Sequence, residues 1–170
     1  MSKTSGKKRR KNGQVVRIEL GQDTHSYARV LDRPSFAFYD RAFGKDDRPD
    51  LNEILALPIA FTLWVMDYVF SEYRWPVIGW AELDPSLLRH PKFWKQDEDT
   101  DEISIYHRVP ELGPLYERPA NYEEAKYLEC AAVWDPEHVE DRLRDHFAGR
   151  ENKWVQSMKI RRPVLKRVSK

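Results

Sequence analysis

Glycine is scarce in this chain. Its seven copies, at positions 6, 13, 21, 44, 79, 113 and 149, are never closer than seven residues. No G-x-G dinucleotide loop, P-loop or G-x-S-x-G elbow can be written with that spacing, although other nucleotide-binding and hydrolase folds stay open. Cysteine is nearly absent too. Cys130 stands alone, which excludes an internal disulfide and a cysteine-based zinc site and reads most simply as a small buried apolar residue. No apolar segment follows the basic first residues, so a signal-peptide pattern is missing. The longest apolar run, Ile54 to Phe70, is interrupted by Pro58 and Asp67. It falls short of the roughly 20 apolar residues of a spanning helix, so it reads as core rather than membrane. Together these absences point to a reducing cytoplasm as the expected location.

Acid is missing from both ends. Residues 1–11 carry Lys3, Lys7, Lys8, Arg9, Arg10 and Lys11, and residues 161–170 carry Arg161, Arg162, Lys166, Arg167 and Lys170, with no Asp or Glu in either stretch. Taking those eleven from the 29 basic residues leaves 18 against 28 acidic ones in 12–160, a body about ten charges negative. Such a field attracts basic partners and repels nucleic acid. The expected organisation is a disordered basic tail at 1–12, a single domain at 13–160 and a basic C-terminal tail at 161–170. The hydrophobic content of 41% and aromatic content of 12% suffice for a substantial core in that body.

The stretch from Gly13 to Asp40 anchors the fold. Val16, Ile18 and Leu20 alternate with Arg17 and Glu19 as in a strand with one buried face. A turn at Gly21-Gln22-Asp23 leads to a second strand, His25 to Leu31, and Asp32-Arg33-Pro34 separates it from a third, Ser35 to Tyr39. Arg41 to Pro49 reads as a loop, Asp50 as the cap of a short helix that ends at Pro58, and Ile59 to Met66 as a buried strand. Asp67 to Trp75 fits either a helical turn or a strand. Pro76 to Trp80 is another strand, in which Gly79 admits a close neighbour. A helical turn starts at Asp84-Pro85. Two strands, Lys92 to Gln96 and Glu102 to His107, flank an acidic turn. Val109 to Pro119 reads as connection, Asn121 to Trp134 as helix or strand, and Lys153 to Ile160 as a last strand. Asp135-Pro136 opens a helix with Val139, Leu143 and Phe147 at i, i+4 and i+8, closed by Gly149. The fold class is therefore α+β: a curled, mostly antiparallel sheet, with a partly open barrel as the open alternative, and a C-terminal helix packed on it.

Little here suggests catalysis. Asp97, Asp99 and Asp101 alternate like the start of a calcium loop, yet the sixth position is Glu102 and the twelfth Arg108. The preferred account is an acidic hairpin tip, comprising Asp97, Glu98, Asp99, Asp101 and Glu102, that steers a basic partner. Trp94 beside it is the tryptophan to suspect of exposure, with packing beneath the turn the preferred reading. His138 and His146 are two turns apart, too far to share a metal, and all five histidines read as surface residues. Asp50 with Glu124-x-Lys126 has the residue types of a metal-dependent nuclease core, but both parts fall in predicted helices. Neither a cofactor nor a metal is implied.

The phrases G-x-V-V-x-I-x-L-G, Y-x-R-V-L and S-F-A-F-Y-D, between Gly13 and Asp40, resemble the opening of the immunity protein 26 family of bacterial polymorphic toxin systems. W-P-V-I-G (Trp75 to Gly79), F-W-K-Q-D (Phe93 to Asp97), I-S-I-Y (Ile103 to Tyr106) and A-A-V-W-D-P-E-H-V-E-D-R-L-R-D-H-F (Ala131 to Phe147) follow in matching order. The likeness spans roughly residues 13–150 and excludes the basic tails. It implies a non-enzymatic protein that neutralises a cognate toxin by binding it. Many such toxins are nucleases with basic substrate surfaces, which an acidic protein can cover by charge mimicry. On this reading Trp94, Asp97, Glu98, Asp99, Asp101 and Glu102 are the partner-binding residues. Two rivals are a nucleic-acid-binding module using the basic tails and a metal-dependent hydrolase.

Overall fold

The alternation of Val16, Ile18 and Leu20 builds an interior strand of the larger of two sheets. In the computed structural model, which describes residues 9–72, 74–109 and 113–162, β1 (Gln14–Gly21) pairs antiparallel with β2 (Thr24–Val30), and β2 with β3 (Ser35–Tyr39). β3 continues into β5 (Ile59–Val65), which takes a short parallel partner, β11 (Val133–Trp134). β6 (Val77–Trp80) flanks β1 on the other side, and β4 (Phe43–Gly44) adds two residues to β2 inside the expected loop. The chain forms two units. This sheet belongs to the first, made of residues up to 88 together with 132–154. The pairing is mostly antiparallel as expected, but the strands divide between two sheets, and among the described residues no closed barrel forms.

Both faces of the first sheet are covered, and register decides which residues meet. Val16 and Ala28 stand opposite each other, as do Ala28 and Phe38, and Phe38 and Phe61. On that face Phe36 and Phe38 meet the Trp75 ring edge-on, at 5.6 and 5.9 Å between centroids. Helix α2 (Tyr68–Ser71), a helical turn at the ambiguous segment, adds Val69 and Phe70. Helix α5 (Pro136–Phe147) starts at Pro136 without a side-chain capping bond from Asp135, ends before Gly149 at φ +66°, and buries Val139 and Leu143. Arg144 ties it to β1 by donating to Leu20 O. On the opposite face Val15, Tyr27 and Tyr39 pack with Ile54 of α1 (Leu51–Leu55). Asp50 and Glu53 form a reciprocal capping box at the start of α1. Gly79 lets Leu51 pack closely there: a Cβ would lie 3.0 Å from Leu51 Cδ1, so that side chain would have to shift by a few tenths of an ångström. Gly13, at φ +90°, is required outright, since a Cβ would meet Ala81 O at 2.3 Å.

His25 corrects the surface assignment of the histidines. It is fully buried, because β2 alternates between two covered faces. Its Nε2 lies 3.1 Å from Tyr27 Oη and its ring stacks on Phe43. Burial, then Arg17 and Arg48, hold its pKa below the ordinary value against Glu19 and Asp47. The unfolded chain therefore takes up a proton at higher pH than the folded chain, and stability falls as pH drops below the unfolded value of about 6.5. The unfolding free energy from urea titration is expected to decline on acidification, by at most about 1.4 kcal/mol per pH unit for this group. H25Q should flatten that slope in part, since His107 is shifted the same way. An unchanged slope would assign the effect to other groups.

The second unit comprises residues 89–131 and 155 onward. Its sheet has the order β10 (Glu129–Cys130), β7 (Phe93–Gln96), β8 (Ile103–Val109) and β9 (Gly113–Ala120). β9 replaces the expected connection. Its prolines, 114 and 119, are tolerated because it is an edge strand. Its helix α4 (Tyr122–Ala125) starts with an Asn121–Glu124 capping box, while the short helix α3 (Pro85–Leu88), at the predicted Asp84-Pro85 turn, belongs to the first unit. At the end of the chain α6 (Lys153–Ser157) replaces the expected strand. Asn152 Oδ1 accepts the Trp154 N–H, a helix-start signal that the apolar phase of Trp154, Met158 and Ile160 obscured. Of the two expected tails, 1–8 and 163–170 lie outside the described residues. Arg10 and Arg161, by contrast, make specific contacts. No helix among the described residues is long and apolar enough to cross a membrane.

Candidate partner-binding site

The acidic turn joins β7 to β8. Antiparallel register sets Trp94 opposite Ile105, Lys95 opposite Ser104 and Gln96 opposite Ile103, which brings residues 97–102 out as a tip. Asp97 builds that tip. Its Oδ1 accepts the N–H groups of Asp99 (2.9 Å) and Thr100 (2.8 Å) and the Thr100 hydroxyl (3.1 Å). These bonds stabilise the carboxylate and hold its pKa below the usual range. Asp101 takes a left-handed φ of +59°, a conformation that aspartate tolerates better than most residues. Its carboxylate pairs with Arg161 at 3.1 Å.

The five acids therefore do different work. Asp97 shapes the turn and Asp101 holds Arg161, while Glu98, Asp99 and Glu102 are exposed. Trp94 is only 8% exposed and packs with Ile103 and Ala125. It is packed rather than exposed, the preferred reading, and its contact with Ile103 braces the strand that leaves the turn. Beside the tip runs a groove of about 700 Å³, lined on its apolar part by Ile103, Pro119, Ala120 and Tyr122. Its carboxylates come from Asp97, Asp101, Glu102 and Glu117. Glu117 accepts the Ser104 hydroxyl at 2.6 Å, which lowers its pKa. Two cations also line the groove: Arg118, which is paired with Glu124 at 3.0 Å, and Lys95. Sequence reasoning missed Glu117 because it falls in β9, a segment that reads as connection; Ser104 on β8 and Tyr122 on α4 gain a role only from the groove that β9 completes. The alternation of Ile103, Ile105 and His107 was the available sign that a neighbouring strand was needed.

The other sequence candidates take structural roles. Asp50 and Glu124, the carboxylates of the nuclease-like pattern, each close a capping box. Among the described residues no three His, Cys, Asp or Glu side chains are spaced to hold a metal ion. Cys130 is half-buried, and burial followed by Glu129 pushes its thiol up to about 11, so it is not a ready nucleophile. His138 stacks on Trp154 at 3.6 Å between centroids.

The class that emerges is an α+β protein of two units, presenting an acidic turn beside an open groove. The chain belongs to the immunity protein 26 family, whose profile matches residues 11–103. The match takes in the first sheet from β1 through β6 together with β7 and ends at Ile103, the first residue of β8, so it includes the Trp75 to Gly79 and Phe93 to Asp97 segments, while the rest of Ile103 to Tyr106 and the Ala131 to Phe147 segment lie beyond it. No curated protein and no solved structure matches the chain significantly.

Proposed function

We propose that this protein neutralises a cognate toxin in the cytoplasm by binding it directly, through the acidic surface around residues 97–102. Membership of the immunity protein 26 family carries the reading. The exposed carboxylates of Glu98, Asp99 and Glu102 support the binding mode. A toxin that grips nucleic acid presents cations, and carboxylates at a rigid tip match phosphate charge without requiring a catalytic group. Trp94 acts in this scheme by stiffening the tip.

Co-expression with the toxin domain encoded beside it tests the reading. Survival of the cells together with a stoichiometric complex is the expected result. Survival without a complex would sink direct binding. The variant E98Q/D99N/E102Q leaves the Asp97 turn intact. It is expected to weaken the complex at least about tenfold, with the larger part in association rate at low salt. An affinity unaffected by both salt and this variant would eliminate charge mimicry.

A further inference from the structure

The second unit already binds a basic peptide segment, and that segment is its own. Gln96 makes two opposed hydrogen bonds to the backbone of Arg161: Nε2–H donates to Arg161 O at 3.0 Å, and Arg161 N–H donates to Oε1 at 2.9 Å. A side-chain amide that donates to and accepts from the backbone of one residue grips an extended chain whatever that residue's side chain is. The side chains supply the selectivity. The Arg161 guanidinium lies 3.1 Å from Asp101, and that of Arg162 lies 5.0 Å from the centre of the Tyr122 ring. Ile160, just before them, packs against the cluster of Trp94, Ile103 and Ala125. Asp101, Ile103 and Tyr122 all line the groove. Arg161 is 58% exposed on its side chain, so solvent screens its pair with Asp101 and a competing cation can displace it.

We infer that the groove beside the acidic turn is the docking site for an extended, arginine-bearing segment of the protein partner, and that Arg161 and Arg162 hold that place in the free protein. The groove chemistry fits such a segment. Four carboxylates face two lysine or arginine side chains, one of which is already neutralised by Glu124. The apolar part accepts the stems and flanking residues of the segment, and Tyr122 offers a ring face for a guanidinium. Naming the partner as the toxin rests on the immunity reading; the groove chemistry does not.

The probe is a labelled hexa-arginine peptide, titrated by fluorescence anisotropy against the full chain at low salt. R161A/R162A is expected to bind it about fivefold more tightly than the unaltered protein, because the resident cations are gone. Adding D101N/E102Q to that variant should weaken binding at least about tenfold. Asparagine keeps the left-handed backbone at position 101 available, so the turn should persist, as circular dichroism can verify. E72Q/E151Q removes the same charge from exposed positions in the first unit and should change affinity less than about twofold. Equal affinity in R161A/R162A and the unaltered protein overturns the placeholder role. Equal loss in the two charge-neutralised variants overturns the groove as the site. These results are independent of toxin rescue. Peptide binding at the groove without toxin binding would reject the immunity reading alone, and toxin binding without peptide binding would reject the groove alone.

Discussion

E140A is expected to destabilise the protein by about 3–5 kcal/mol, the range for breaking a buried charged pair from one side. Glu140 lies on the inner face of α5 and is 8% exposed. Both of its oxygens are engaged: Arg74 Nε–H and Nη2–H donate to Oε1 and Oε2, each at 2.7 Å, and Trp75 Nε1–H donates to Oε1 at 2.9 Å. Trp75 is 1% exposed and meets Phe36 and Phe38 edge-on. Removing the carboxylate leaves an indole N–H without its acceptor in the core and a guanidinium without its bidentate partner. Arg74 itself is 32% exposed on its side chain, so water recovers part of the second loss, which favours the lower half of the range. E140Q keeps the acceptor for Trp75 and should lose about 1–2 kcal/mol. Glu137 pairs with the same arginine at 3.0 Å, but its side chain is 49% exposed. E137A should therefore cost less than about 1 kcal/mol. Urea unfolding of the three variants decides the matter, and equal losses for E140A and E137A would refute the buried network.

R10A is the second large loss, expected at about 2–3 kcal/mol. The Arg10 side chain is 10% exposed. Nη1–H donates to Asp67 Oδ1 at 3.0 Å, and Nη2–H to Leu31 O at 3.1 Å and Ser35 O at 2.9 Å. The guanidinium also lies 4.5 Å from the centre of the Phe36 ring. Burial pulls its pKa down and Asp67 pulls it back, so the charge remains and the partners matter. Truncation takes this donor from Leu31 O at the β2–β3 connection, while Ser35 O keeps the Leu31 N–H at 3.0 Å. R10K should recover less than half of the loss, because an ammonium cannot fork between Asp67 and two carbonyls held by a planar group. A loss below about 0.5 kcal/mol for R10A would reduce the contact to a surface one.

Arg10 and Glu140 show what a linear reading misses. In the sequence, Arg10 is one of six cations in an acid-free run and Glu140 one of several acids on the polar side of a helix. Neither has a local pattern to mark it, because their partners lie 57 and 65 or 66 residues away. His25 was invisible for a related reason: a strand with two covered faces has no wet side, so polarity stops reporting exposure. The elements that were legible had local causes. Asp50 and Glu53 cap α1, Asp135-Pro136 opens α5, and the alternation of Val16, Ile18 and Leu20 predicts β1. The acidic tip was legible because it interrupts two strand patterns. The groove beside it was not, because its second wall is β9, whose prolines resemble a connection until the edge position is known.

The sequence by itself determined the α+β class, the capped helices, the hairpin with its acidic tip, and the family through an ordered set of phrases. Each depends on residues close together in the chain, where spacing and side-chain type are the physical cause. Tertiary structure alone decided the division into two sheets, the burial of Arg10, His25 and Glu140, and the seating of Arg161 on Gln96 and Asp101. Those depend on strand order and register, which bring residues together across long separations that no local pattern encodes.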